Sequence, residues 1–298
     1  MKWDKGSVIA VLEAIAQHGE ISRAMLSEVT GFSQVTVGKA VDFLASAGML
    51  NQYKQARGSA GRKAAVCRLE TGRGMLLVDL TGEKTVARIC DIALDIKNEY
   101  ANDSGELADT FITGFGTLVE AFGDGMIGIG CVVPNGTKDK YTRCITEALG
   151  HEPELIIEED TAYAIANAKR FDCTQVAMYL RLFENGYITS TVMFGDIPYE
   201  GFHNKAGKFS YIASSREALC RQIADILAVI DPELIHIACE SEEDAVSLPL
   251  GISSILSGYG EEFSENITEV IVEPMQLCRT AMDGAGMQLR ENYALSKM

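Results

Sequence analysis

Histidine and tryptophan are scarce in this 298-residue chain, which holds four of the first and one of the second. Its eight cysteines (67, 90, 131, 144, 173, 220, 239 and 278) stand singly and form no C-x-x-C pair. The histidines at 18, 151, 203 and 236 show no metal-ligand spacing either. Neither a zinc site nor a disulfide framework is expected, and the thiols read as reduced and mostly buried. No apolar run approaches the roughly 18 residues that a membrane span requires. The opening MKWDKGSVIAVLEAIAQHGE carries Glu13 among helically spaced apolar residues, and no small-residue cleavage site follows it. That is unlike a secretory signal. A cytoplasmic protein with no cofactor, no metal and no membrane partner is the expectation. Positive charge is short as well: 26 Lys and Arg stand against 42 Asp and Glu, for a net −16.

What is present is unevenly placed. Residues 1–70 hold nine Lys and Arg against six Asp and Glu, a net +3, while the remainder holds 17 against 36, a net −19. An acidic body repels DNA phosphate, so any nucleic-acid contact falls to the basic head. At this length two or three compact units are expected, and 47% apolar content is enough for real cores.

The head is the most legible segment. Val8, Val11, Leu12 and Ile15 recur at helical spacing, and Gly19 ends that helix. Ser22 is placed to cap a second helix through Thr30, with Leu26 and Val29 turned inward. Gly31 suits a left-handed turn, and Phe32 fills the corner. Ser33 caps a third helix whose Val37, Ala40, Val41 and Leu44 face the core. Gln34, Thr36, Gly38 and Lys39 then lie on the outer face or its first turn. Strands at Leu50–Tyr53 and Ala65–Leu69 flank a tip, Gly58-Ser59-Ala60-Gly61, with Lys54, Arg57, Arg62 and Lys63 around it. Helix, glycine turn, helix and basic hairpin make a winged helix-turn-helix, which places a helix in a DNA major groove. Ser33, Gln34, Thr36 and Lys39 are the candidates for bases or adjoining phosphates, and the basic tip for phosphate or minor groove.

Beyond Gly74 strands alternate with helices, which predicts α/β lobes. Residues 75–92 read as strand, turn and strand, 105–122 as a helix and 126–133 as a buried strand. Residues 139–149 read as a helix, 154–160 as a strand and 161–171 as a helix. A hairpin over 176–183 and 187–194 follows, then a helix over 215–230, a strand over 233–239 and a last helix from Pro274 to Ser296.

In their order along the chain, several segments resemble those of the ROK family of repressors and sugar kinases. Val78-Asp79-Leu80-Thr81-Gly82 sits where that family has its first phosphate loop, D-x-G-x-T. Gly128-Ile129-Gly130 through Pro134-Asn135-Gly136 is similar to the G-I-x-x-P-G segment. Glu159-Asp160-Thr161-Ala162 lies where N-D-A carries the kinase's base. Gly201 to Tyr211 looks like G-x-x-x-x-A-G-E-x-G-H, Asp231 to Ile235 like D-P-E-x-I, and Gly284-Ala285-Gly286 like G-A-A. The head, with its G-x-x-G-R wing, resembles that of the xylose-repressor type. The resemblance implies an actin-like, ribonuclease H-like body. The expected division is a head of residues 1–70, one lobe of 71–135 plus 274–298, and a second lobe of 136–273.

The departures from the family bear on activity. Thr81 stands where phosphate needs glycine, and Glu83 where a hydroxyl is needed. Glu184 lies in the second phosphate loop, and Cys239-Glu240 replaces a glycine pair. Lys208 stands for the sugar-binding Glu, Tyr211 for His, and the family's cysteine-rich zinc segment is missing. Carboxylates beside a triphosphate are strongly unfavourable. Asp160 remains, and it reads as the cap of a helix beginning at Thr161 rather than as a base. The reading is a DNA-binding regulator, a repressor, with no kinase activity. The resemblance implies a homodimer on a pseudo-palindromic operator of double-stranded DNA. A small-molecule effector such as a sugar or derivative is expected in the cleft of the body, near Asn135, Asp160, His203, Lys208 and Tyr211. The alternatives are an aberrant sugar kinase, which Asp79, Gly82 and Asp160 favour, and an effector-independent DNA-binding scaffold.

Overall fold

The computed structural model describes residues 4–54, 65–102, 107–171, 175–201, 206–208, 210–259 and 268–298. The chain divides into two compact units, residues 1–157 with 285–298, and residues 158–284.

The first unit opens with α1 (Lys5–His18), a two-residue strand β1 (Ile21–Ser22), α2 (Arg23–Thr30) and α3 (Gln34–Ser46). Asp4, Ser22 and Ser33 each accept a backbone N–H of the first turn that follows them. Gly31 takes the left-handed conformation at φ 69°, which turns the chain between α2 and α3 without the penalty a side chain would bring. Val8, Val11, Leu12, Ile15, Leu26, Val37, Val41 and Leu44 are buried, as their periodicity required; Val29 instead faces outward. Strands β2 (Leu50–Lys54) and β3 (Ala65–Leu69) pair antiparallel, and β1 joins the outer edge of β3.

A five-stranded sheet follows: β4 (Gly74–Asp79), β5 (Thr85–Asp91), β6 (Ile96–Asn102), β7 (Met126–Val133) and β8 (Leu155–Glu158), in the order β6-β5-β4-β7-β8. The first three form an antiparallel meander, and β7 returns parallel to β4 after α4 (Leu107–Phe122). Phe111 and Leu118 of α4, with Ile145 of α5 (Lys138–Leu149), close a core over Leu76, Val78, Ile89, Ile129 and Cys131. Strand β6 was not anticipated, because IKNEYAN is polar and lies mostly exposed at the sheet edge.

The second unit comprises α6 (Glu159–Ala168), β9 (Val176–Leu182), β10 (Tyr187–Phe194), β11 (Ile197–Pro198), β12 (Ser210–Ile212), α7 (Arg216–Ile230), β13 (Leu234–Cys239), α8 (Glu242–Leu256) and β14 (Glu269–Pro274), and then the start of α9 (Ala281–Ser296). Its sheet runs β11-β10-β9-β13-β14, with β12 also on β10. Antiparallel β10 and parallel β13 flank β9, as β5 and β7 flank β4. With β12 left aside, each unit repeats one strand order, third-second-first-fourth-fifth. Met178, Leu180, Leu182, Ile235 and Ile237 face α7 and α8. The alternate residues of β9 and β13 face the other way.

The larger differences from the sequence expectation are two helix starts and two further elements. Helix α6 begins at Glu159, so Asp160 lies inside it, and the N-cap position is Glu158. Residues 242–256 and 269–274 form α8 and β14, which alternation of apolar and polar residues did not signal. The last helix starts at Ala281, because Pro274 ends β14 and a single 3-10 turn follows.

Candidate functional site

The outer face of α3 is built from its N-terminus. The Ser33 hydroxyl accepts the Thr36 N–H at 3.2 Å, and the Thr36 hydroxyl lies 3.0 Å from it, so both side chains are engaged in the cap. Gln34 and Lys39 are exposed. So is Val35, at 68%, a residue the sequence reading passed over because an apolar side chain in a helix reads as core. Arg23 of α2 stands beside this face, held by Asp42 at 2.5 Å and Gln52 at 2.7 Å. The backbone of Lys54 pairs with Ala65 at the root of the hairpin. Arg57, Arg62 and Lys63 lie outside the described residues.

No linker separates this head from the sheet that follows. Arg290 of α9, 1% exposed, donates to Glu13 of α1 at 2.7 Å and to the Ile92 carbonyl at 2.9 Å. Arg73 donates to the Gly48 carbonyl just beyond α3, and to the Tyr293 hydroxyl at 2.7 Å. A buried guanidinium is retained only with its partners in place, so these bonds fix the head on its own unit.

In the second unit, the outward residues of the central strands make a buried polar layer under α6. Arg181 of β9 and Thr189 of β10 are cross-strand partners and therefore share a face. Thr189 donates to Asp160 Oδ1 at 2.8 Å, and Arg181 donates to the same oxygen through Nε at 3.0 Å and again through Nη2. Arg181 Nη1 reaches Glu159 at 2.6 Å. Burial pushes the Asp160 carboxyl above its ordinary value, and Arg181 and Thr189 oppose that shift. Asp160 is therefore neither a cap nor an open base. It is the acid of a buried ion pair. Lys208 likewise bonds Glu158 at 3.0 Å and Glu200 at 3.3 Å.

Of the other proposed effector contacts, Asn135 is exposed in the turn after β7 and belongs to the first unit. The Tyr211 backbone pairs with Ile188, and His203 lies outside the described residues.

The segments that resemble the family's phosphate loops spend their amides on the chain itself. Asp79 accepts the Thr81 N–H at 2.9 Å and its hydroxyl at 2.7 Å. In the turn between β9 and β10, the Phe183 N–H goes to the Tyr187 carbonyl at 2.9 Å, and the Gly186 N–H to the Phe183 carbonyl at 2.9 Å. The Tyr187 N–H goes to Asn185 Oδ1 at 2.9 Å. The Glu184 N–H goes to the Glu240 carboxylate at 2.8 Å. The Glu240 carboxylate is thus engaged by the backbone of Glu184. A phosphate cradle needs such amides unspent.

The tertiary structure also gathers a trio that spacing did not foretell. His236 Nε2 lies 2.7 Å from Glu273 Oε1, and Cys278 Sγ lies 3.4 Å from the same oxygen. Arg170 binds both Glu273 oxygens, at 2.5 and 3.0 Å, so a cation already occupies the carboxylate. Arg170, and after it His236, hold Glu273 down to about 2. Burial lowers the His236 value, in a pocket of Tyr163, Phe171 and Tyr179 rings.

Compared with solved structures, the whole chain aligns with a ROK-family transcriptional regulator, a homologue of the Escherichia coli MLC protein. Identity is 13%, coverage is 99% of each chain and the TM-score is 0.69. The chain has the ROK fold. A ROK-family protein from Streptococcus pneumoniae TIGR4, solved in complex with sucrose, shares that fold at 11% identity and a TM-score of 0.53. There the alignment covers 72% of this chain and 97% of that one. The ROK hexokinase from Thermus thermophilus matches at 12% identity and a TM-score of 0.51, over 73% and 97% of the two chains. No protein-family model and no curated protein matches the sequence. Among the described residues, no helix is long and apolar enough to cross a membrane.

Proposed function

We propose that this chain is a DNA-binding transcriptional regulator of the ROK type, a repressor, whose body does not transfer phosphate. The observation that carries the reading is the α2–Gly31–α3 arrangement. Two helices joined by a left-handed glycine support a helix-turn-helix, and the second, capped by Ser33, turns Gln34, Val35 and Lys39 to solvent. In support, the regulator aligns end to end, whereas the sugar-complexed protein and the hexokinase align with under three quarters of the chain.

The body reads as a kinase framework with its chemistry closed off. Asp160 is neutralised by Arg181, and the amides at the second phosphate position are spent on Glu240, Asn185 and carbonyls. A general base must be able to reach a substrate hydroxyl, and this one is held by three donors. The division into a head of residues 1–70 and two lobes remains our reading of how the work is shared. The lobes serve dimerisation, and two heads on one pseudo-palindromic operator gain effective concentration. An effector, where one acts, would meet the polar groups around Asp160 and Lys208.

Selection of duplexes from a random pool by the full-length chain, followed by gel shifts, tests the reading. We expect enrichment of a two-fold symmetric sequence. Arg62→Ala should weaken binding across sequences and lower the salt slope, and Gln34→Ala should change the preference. Failure to enrich any sequence refutes it. Calorimetric titration with magnesium-ATP should show no saturable binding at millimolar levels, and micromolar affinity would restore the kinase alternative.

A further inference from the structure

Two residues on the outer face of α3 serve neither the helix nor the core. Val35 is 68% exposed, although β-branched side chains disfavour helices and gain nothing from exposure. Gly38, nearly one turn on, weakens a helix interior relative to alanine. Its missing side chain leaves the face low, with only Arg23 Nη1 at 3.6 Å from where a Cβ would stand. Beside this low apolar spot stands one exposed cation of the same helix. Lys39 follows Val35 by four residues on the same face and is exposed.

An exposed apolar methyl pair beside a lysine matches one feature of duplex DNA. In the major groove, thymine presents a C5 methyl between two rows of phosphates, and no other base does so. We propose that Val35 reads a thymine methyl, so that each half-site bound by this chain carries a T·A pair beneath the first turn of α3. Gly38 lets the helix seat deeply enough for the contact. This rests on the DNA-binding reading above and adds the identity of one base to it.

The test uses the full-length chain and the duplex it selects from a random pool. Each thymine is replaced in turn by deoxyuridine, which removes only the methyl. Burying about one methyl group corresponds to roughly a fourfold change in affinity. At one thymine per half-site, uracil should weaken wild-type binding by about that factor. Val35→Ala should weaken binding to the thymine duplex similarly, and should lose nothing further with uracil. Because Val35 is exposed, an unchanged melting temperature is expected and shows that the variant is folded. Selected duplexes in which every uracil replacement is neutral, or losses from Val35→Ala and uracil that simply multiply, overturn the assignment while leaving DNA binding intact. Failure to select any duplex removes the DNA-binding reading itself.

Discussion

Arg181 and Asp160 form a buried ion pair in which one carboxylate oxygen accepts from both Nε and Nη2 of the guanidinium. Thr189, directly across from Arg181 on the neighbouring strand, donates to that same oxygen. The Asp160 carboxylate is therefore engaged by the chain itself.

Removing one member of this pair leaves the other charged and buried. Arg181→Met should destabilise the protein by about 3–5 kcal/mol, and the double replacement Arg181→Met with Asp160→Leu by markedly less. Denaturant unfolding of the two single variants and the double completes the cycle. Losses that simply add would show that the two groups do not depend on each other.

The head should depend on Arg290 in the same way. Glu13→Ala strands that guanidinium, and a loss of about 3 kcal/mol or more is expected. Glu28→Ala, an exposed acid on α2, should stay within about 0.5 kcal/mol. Equal effects would mean that the head is not anchored through α1.

Glu273 gives a pH signature. Its folded value of about 2 lies below the ordinary 4.5, chiefly through the hydrogen bonds from Arg170. A depressed carboxylate contributes stability that is fully present above 4.5 and lost as pH falls through about 2. His236 acts in the same direction, since its folded value is held below 6.5 and acid favours the unfolded chain. The melting-temperature gap between wild type and Glu273→Gln should be widest near neutrality and should shrink as pH falls from 4.5 towards about 2. A gap that grows on acidification would contradict the assignment.

Gly284 sits where α9 meets α6, and a Cβ there would lie 1.8 Å from the Ala162 carbonyl oxygen. Gly284→Ala should destabilise by about 3 kcal/mol, since backbone must move. Gly116→Ala, within α4 and with nothing within 4 Å, should instead stabilise by up to about 1 kcal/mol. Thermal melts that rank the two the other way would refute the packing described here.

The sequence by itself determined the head and the strong strands. Periodicity, Ser22 and Ser33 caps and the Gly31 turn are local signals, and the helices formed where those signals lie. The α/β character of the rest of the chain followed from alternating elements. Tertiary structure decided the sites. Arg181 reads as one polar residue in an apolar strand, and only the pairing with Thr189 and the cover of α6 make it Asp160's partner. Glu13 and Arg290 are 277 residues apart, as Glu184 and Glu240 are 56 apart. His236, Glu273 and Cys278 follow no ligand spacing because they come from two parallel strands and the turn beyond. Local propensity acts over a few residues. Buried charges find their partners across the fold, wherever desolvation would otherwise be too costly, and no spacing in the chain encodes that distance.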